Sequence, residues 1–134
     1  MAKYKKKLDA DIRCPLEYGL TIFGGKSGEY PQKLYKALMN SQTVLIVWDD
    51  ARLVGLIRVL DDSEMLAQIH YVLVHPEYQG QGIAGRMVEY IKEKYKNFMY
   101  LELMPEDKNN VPFYEKHGFH VMENGAAMQI CNIN

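Results

Sequence analysis

"VHPEYQGQGIAGRMVEY", residues 74–90, decides how this chain is read. Gly80, Gly82 and Gly85 crowd the mouth of an amphipathic helix. Glycine costs about 1 kcal/mol relative to alanine inside a helix, so its placement there needs a reason. A helix N-terminus carries backbone N–H groups without partners and partial positive charge. Stripping side chains from the loop before it lets an anion such as a phosphate reach those groups. A tight turn with close helix packing would use the same spacing. Gln79 adds a side-chain donor next to the loop.

Two familiar phosphate loops fit less well. A P-loop needs a Lys-Ser/Thr pair after its last glycine, and Ile83 and Ala84 follow Gly82. Gly80, Gly82 and Gly85 match Gly-x-Gly-x-x-Gly. That fingerprint belongs after the first strand of a βαβ unit, with an acidic residue about 20 positions on. Here the preceding strand closes a meander, and Glu102 is a loose match.

Working outward, Ala84, Met87, Val88, Ile91 and Tyr95 form the helix's apolar stripe, opposite Arg86, Glu89, Lys92, Glu93 and Lys96. Before it lie three strand-like runs, 43–48, 52–60 and 66–74, with short polar turns that favour an antiparallel meander. After it, 98–104 reads as a strand, so strand, helix and strand imply a right-handed crossover and a parallel pair. Residues 3–8 suit a short strand, and 15–23 have helical spacing. Pro31 opens a helix that stops near Asn40. A short helix over about 109–117 ends at Gly118, and 119–122 with 126–131 predict a last hairpin. The fold class is α+β, with mixed α/β layers in one domain over 1–134.

Bulk properties narrow the function classes. The chain has 134 residues, 48% apolar and 25% charged, which suits one globular core. A net charge of −1 gives no overall pull towards nucleic acid or acidic lipid. Apolar runs such as "TVLIVW" are too short to span a bilayer. Cys14 and Cys131 lack metal-type spacing, and with no secretory signal the simplest setting is the reducing cytoplasm. His75, His117 and His120 show no metal-ligand spacing, so no metal is expected.

Residues 74–91 resemble the acetyl-CoA loop of the GNAT superfamily of N-acetyltransferases, whose Gln/Arg-x-x-Gly-x-Gly/Ala pattern is met by Gln79, Gly82 and Ala84. "VPFYEKHGF" (111–119) resembles that family's second signature, and "LVGLIRVLDD" its third strand. The likeness covers 31–122. It implies a GNAT-like central mixed sheet of about six or seven strands flanked by about four helices. It implies acetyl-CoA as cosubstrate and direct transfer to a primary amine of a small molecule or protein, without an acyl-enzyme. Cys14 and Cys131 would then be packing residues. Pantetheine would pair with backbone at Val72 and Val74, the sheet splaying after residue 74. The pyrophosphate would sit on N–H groups from Gly80 through Gln81, Gly82, Ile83 and Ala84 to Gly85.

Tyr114 matches the family's tyrosine that protonates the departing thiolate; a phenol with a pKa near 10 holds its proton at neutral pH. A buried aromatic with a satisfied hydroxyl is the plain alternative. Asn110 is either a pantetheine contact or a helix cap beside Asn109. The family's usual asparagine position, a few residues earlier, holds Asp107 here. For the base, His70 and Glu102 are the candidates, while Glu64 reads as a turn residue. A homodimer is common among such enzymes.

Two other classes stand beside this reading. One is a non-catalytic acyl-CoA sensor that keeps the loop. The other is a DNA-binding regulator, because "CPLEYGLTIFGGK" (14–26) resembles the start of HxlR-type winged-helix regulators. That likeness stops at Lys26, and no recognition helix follows.

Overall fold

The structure is a computed structural model and describes residues 2–6, as backbone, and 29–133. In chain order these form β1 (Ala2–Lys6), α1 (Pro31–Met39), β2 (Thr43–Asp49), β3 (Arg52–Asp61), β4 (Leu66–Val74), α2 (Ile83–Lys94), β5 (Tyr100–Leu103) and α3 (Val111–Lys116). They fall into two compact units, one up to Leu103 and one from Met104. The predicted helix over 15–23 and the 14–26 stretch lie outside the described residues, as does Cys14.

In the first unit one sheet has the order β1-β2-β3-β4-β5. β1 to β4 form an antiparallel meander, and β4 and β5 are parallel. The turns explain the meander. Asp50 takes a left-handed conformation (φ 51°) between β2 and β3. Between β3 and β4, Asp62 Oδ1 accepts from the N–H groups of Glu64, Met65 and Leu66 at 2.9, 2.7 and 3.0 Å. These bonds hold the Asp62 carboxyl below its ordinary pKa. Glu64 is a turn residue there, as its sequence context predicts. The parallel pair needs a long crossover, which α2 supplies.

Both faces of the sheet are covered, so β2 reads as an unbroken apolar run rather than an alternation. Leu34 and Leu38 of α1 pack on Val44, Ile46 and Leu56. Gly55, Ile57 and Val59 point the other way, where Ile83, Met87, Val88 and Ile91 of α2 are buried. Ile83, rather than the predicted Ala84, starts that buried stripe. Gly55 permits its approach, because a Cβ there would stand 3.1 Å from Ile83 Cγ2 and 3.3 Å from Val47 Cβ. At the far end of α2, Tyr95 is buried with its hydroxyl between Thr43 Oγ1 (2.7 Å) and Asp61 Oδ2 (2.6 Å).

In the second unit, Asp107 accepts from Asn109 N (2.9 Å) and opens a 3-10 turn, Lys108–Asn110, that runs into α3. Gly118 stops α3 in a left-handed conformation (φ 92°), as predicted. The predicted last hairpin is not formed: residues 119–133 carry no ladder, and Gly125 N to Met122 O (3.1 Å) closes only a turn. Val121, Met122, Met128 and Ile130 are accordingly exposed. Cys131 is also exposed, which corrects its reading as a packing residue. Among the described residues the mixed α+β architecture therefore has five strands and three α-helices, fewer than the count expected.

Candidate active site

β4 pairs with β3 along its length but with β5 only from Leu66 to Ile69. The splay thus begins at His70, five residues before the expected start at residue 75. Its cause lies in the register: Arg58 faces Tyr71 while Val59 faces Ile69, so His70 is the extra residue of a β-bulge. A bulge bends its strand and interrupts pairing. Beyond it, His75 N donates to Val54 O of β3 at 2.8 Å. Backbone groups alternate edges along a strand, so Val72 and Val74 present theirs to the side away from β3. Gln79 Nε2 reaches that side and donates to Val74 O at 3.4 Å.

The open edge runs directly into the glycine loop. Gly80 and Gly82 both adopt φ +81°, a left-handed conformation that favours glycine. A Cβ at either would meet nothing within 4 Å. These two glycines therefore answer to backbone conformation on an open face, while the close packing falls to Gly55. Gly82 caps α2 with no side-chain hydrogen bond and no acidic residue in the first turn. The first helical bond is Arg86 N to Gly82 O, 3.1 Å. The N–H groups of Ile83, Ala84 and Gly85 have no acceptor within the helix, and no acidic residue in the first turn offsets the positive end of its dipole.

A tether holds the loop in place that no local pattern announces. The Tyr78 hydroxyl donates to Asp49 Oδ2, and Arg52 Nη1 pairs with Glu77 Oε2 at 2.6 Å. The β2–β3 turn thereby grips the 3-10 turn Pro76–Tyr78. The hydrogen bond lowers the Asp49 pKa and raises that of Tyr78.

At the bulge, Arg58 Nε donates to the buried Ser41 Oγ (2.8 Å), and Arg58 Nη1 stands 2.5 Å from His70 Nδ1. The guanidinium also lies 5.8 Å from the centre of the Tyr71 ring. Burial lowers the Arg58 pKa, and the neighbouring Tyr71 pushes it back only in part. A guanidinium has no lone pair to offer, so Nδ1 accepts and the neutral imidazole carries its proton on Nε2. Arg58 thus engages the Nδ1 side of the His70 ring. Glu102, opposite Gln68 in the β4–β5 ladder, is half-buried on β5 and makes no side-chain hydrogen bond among the described residues.

In the second unit, Tyr114 is half-buried, and burial raises the phenol's pKa. Phe113 and Phe119 meet its ring edge-on at 5.0 and 5.9 Å. Asn110 precedes α3 but makes no side-chain cap bond, so capping falls to Asp107 on the turn before it.

The first unit thus brings Val72, Val74, Gln79, Gly80, Gln81, Gly82, Ile83, Ala84 and Gly85 onto one continuous path, with His70 at its start. Tyr114 and Asn110 stand in the other unit. Reading the sequence missed Arg58, Asp49 and Tyr78, whose partners are 12 to 29 positions away. Among the described residues no helix is long and apolar enough to cross a membrane.

Comparison with known proteins agrees with this fold. The model of the acetyltransferase (GNAT) family matches residues 16–119. An uncharacterised N-acetyltransferase from the lysA 3′ region of Bacillus methanolicus is 34% identical over 117 residues, covering 87% of this chain and 92% of that protein. A probable acetyltransferase of meticillin-resistant Staphylococcus aureus superposes with a TM-score of 0.78 at 27% identity, over 98% of this chain and 99% of that one. A predicted acetyltransferase of Clostridium acetobutylicum solved with acetyl-CoA shares the fold at 17% identity (TM-score 0.69, 96% of each chain). The chain therefore belongs to the acetyltransferase (GNAT) family.

Proposed function

We propose that this enzyme transfers the acetyl group of acetyl-CoA directly to a primary amine. The observation that carries the reading is the continuity of the open β4 edge with the bare N-terminus of α2. Pantetheine extends along β4 and bonds to the backbone of Val72 and Val74. The pyrophosphate lies on the loop from Gly80 to Gly85, where the N–H groups of Ile83, Ala84 and Gly85 and the helix dipole face it. Gln79 lends its amide to the phosphates or keeps its hold on Val74 O. Asn110 contacts the pantetheine arm.

In the transfer step the amine nitrogen attacks the thioester carbonyl carbon, a C–N bond forms, and the C–S bond breaks. Tyr114 gives its proton to the sulfur, and burial keeps that phenol protonated through neutral pH. Glu102 takes the proton the amine must lose, because the His70 ring is held by Arg58.

Thermal unfolding with and without acetyl-CoA tests the donor. Ligand at 100 times its Kd stabilises the fold by about 2.7 kcal/mol. Acetyl-CoA and CoA should both raise the Tm, and a nicotinamide dinucleotide should not. No rise at millimolar acetyl-CoA would refute the reading. Tyr114→Phe then separates an enzyme, which loses turnover and keeps CoA affinity, from a sensor, which loses nothing measurable.

A further inference from the structure

The Arg58 guanidinium is half-buried at the bulge where the β4 edge opens. Its hydrogen bonds go to neutral groups, Ser41 Oγ at 2.8 Å and His70 Nδ1 at 2.5 Å, and its remaining near neighbour is the Tyr71 ring. No carboxylate pairs with it among the described residues. A charge taken partly out of water without a counter-charge is costly, and proteins meet that cost with a partner ion. Nε and one Nη1 proton are used by Ser41 and His70, which fix the plane of the fork. The Nη2 edge has no hydrogen-bond acceptor among the described residues, in the geometry that matches a carboxylate or phosphate. The contrast with Arg52 is direct, since that arginine is exposed and already paired with Glu77.

Position gives the arrangement its meaning. Arg58 faces Tyr71 across the β3–β4 ladder, one residue beyond the bulged His70 and just before the open stretch that leads to Val72 and Val74. From the geometry we infer that the acceptor is a small primary amine that also carries an anionic group, and that Arg58 binds this group. The inference rests on the acetyl-transfer reading above and adds the acceptor's chemical class to it. The anion balances Arg58 while the amine stays within reach of the thioester. His70, neutral and anchored through Nδ1, orients the guanidinium and takes no part in the proton transfer.

The test measures CoA release from acetyl-CoA by the full chain with matched amine pairs. β-Alanine is compared with β-alanine amide, and O-phosphoethanolamine with ethanolamine, so that carboxylate and phosphate are told apart. At least one anionic member should exceed its neutral mate in kcat/KM by about tenfold or more, mostly through KM. Arg58→Gln should erase that ratio, and Arg58→Lys, which keeps the charge without the fork, should restore part of it. Acetyl-CoA-induced stabilisation, retained in both variants, reports that they are folded. If Arg58→Gln does not fold, the ratio in Arg58→Lys and the salt sensitivity of the wild-type KM carry the test. Neutral members turned over as well as their anionic mates would overturn the inference. So would the absence of any stabilisation of the CoA-loaded protein by either anionic amine. In both cases acetyl-CoA still raises the Tm, whereas failure of the acetyl-transfer reading itself would abolish that rise.

Discussion

Replacing Gly82 separately by alanine and by glutamate distinguishes a turn glycine from a ligand-cradling one. Gly82 sits at φ +81°, so either side chain costs about 1–2 kcal/mol through the backbone. Neither clashes at Cβ, because nothing lies within 4 Å of that position. For a domain of this size the alanine variant should lose roughly 3–8 °C of Tm and stay folded. Glutamate adds a carboxylate before a helix end that has no acidic residue in its first turn. In the unliganded protein it should therefore recover about 0.3–1 kcal/mol relative to alanine. With acetyl-CoA present the order should reverse. The same carboxylate occupies and repels the pyrophosphate position, so Gly82→Glu forfeits the stabilisation of about 2.7 kcal/mol available at 100 times the wild-type Kd. Differential scanning fluorimetry on both variants, with and without acetyl-CoA, reads the two effects together. Equal acetyl-CoA-induced shifts in the glutamate and alanine variants would refute the reasoning and return the loop to a purely structural role.

Other perturbations have equally definite outcomes. Tyr78→Phe cuts the bond to Asp49 and should raise the KM for acetyl-CoA several-fold with kcat little changed, because it loosens the loop; a KM equal to wild type would remove the tether from the binding account. Tyr95→Phe takes the hydroxyl from between Thr43 and Asp61 and should cost about 1–3 kcal/mol in urea unfolding. The Tyr95 phenol is pushed up to about 12, above its unfolded value near 10, so its contribution is fully present below pH 10 and lost as the pH rises through 12. That alkaline loss should vanish in Tyr95→Phe. Gly55→Ala places a Cβ 3.1 Å from Ile83 Cγ2 and should destabilise by about 1–3 kcal/mol through overpacking; an unchanged Tm would show that α2 shifts to accept it.

Elements whose signal is local were legible in the chain alone. The unbroken apolar run at 43–48, the strand-like runs at 52–60 and 66–74 and the stripe from Met87 to Tyr95 report burial and backbone period, and they yielded the meander, the crossover helix and the parallel pair. The glycine spacing and the 111–119 stretch were enough to identify the acetyltransferase resemblance. Local pattern failed where pairing needs a neighbour. Residues 119–122 and 126–131 have strand-like composition but form no ladder.

Where β4 parts from β5 was set by the fold, because a bulge is a mismatch of register between two strands and neither strand shows it alone. The same holds for Arg58 against His70 and Tyr78 against Asp49, which meet because the meander folds back on itself. Gly80 and Gly82 could have been packing or cradling glycines on spacing alone. The three-dimensional fold separated these roles, leaving open space above the loop and assigning the tight contact to Gly55, where Ile83 packs against β3.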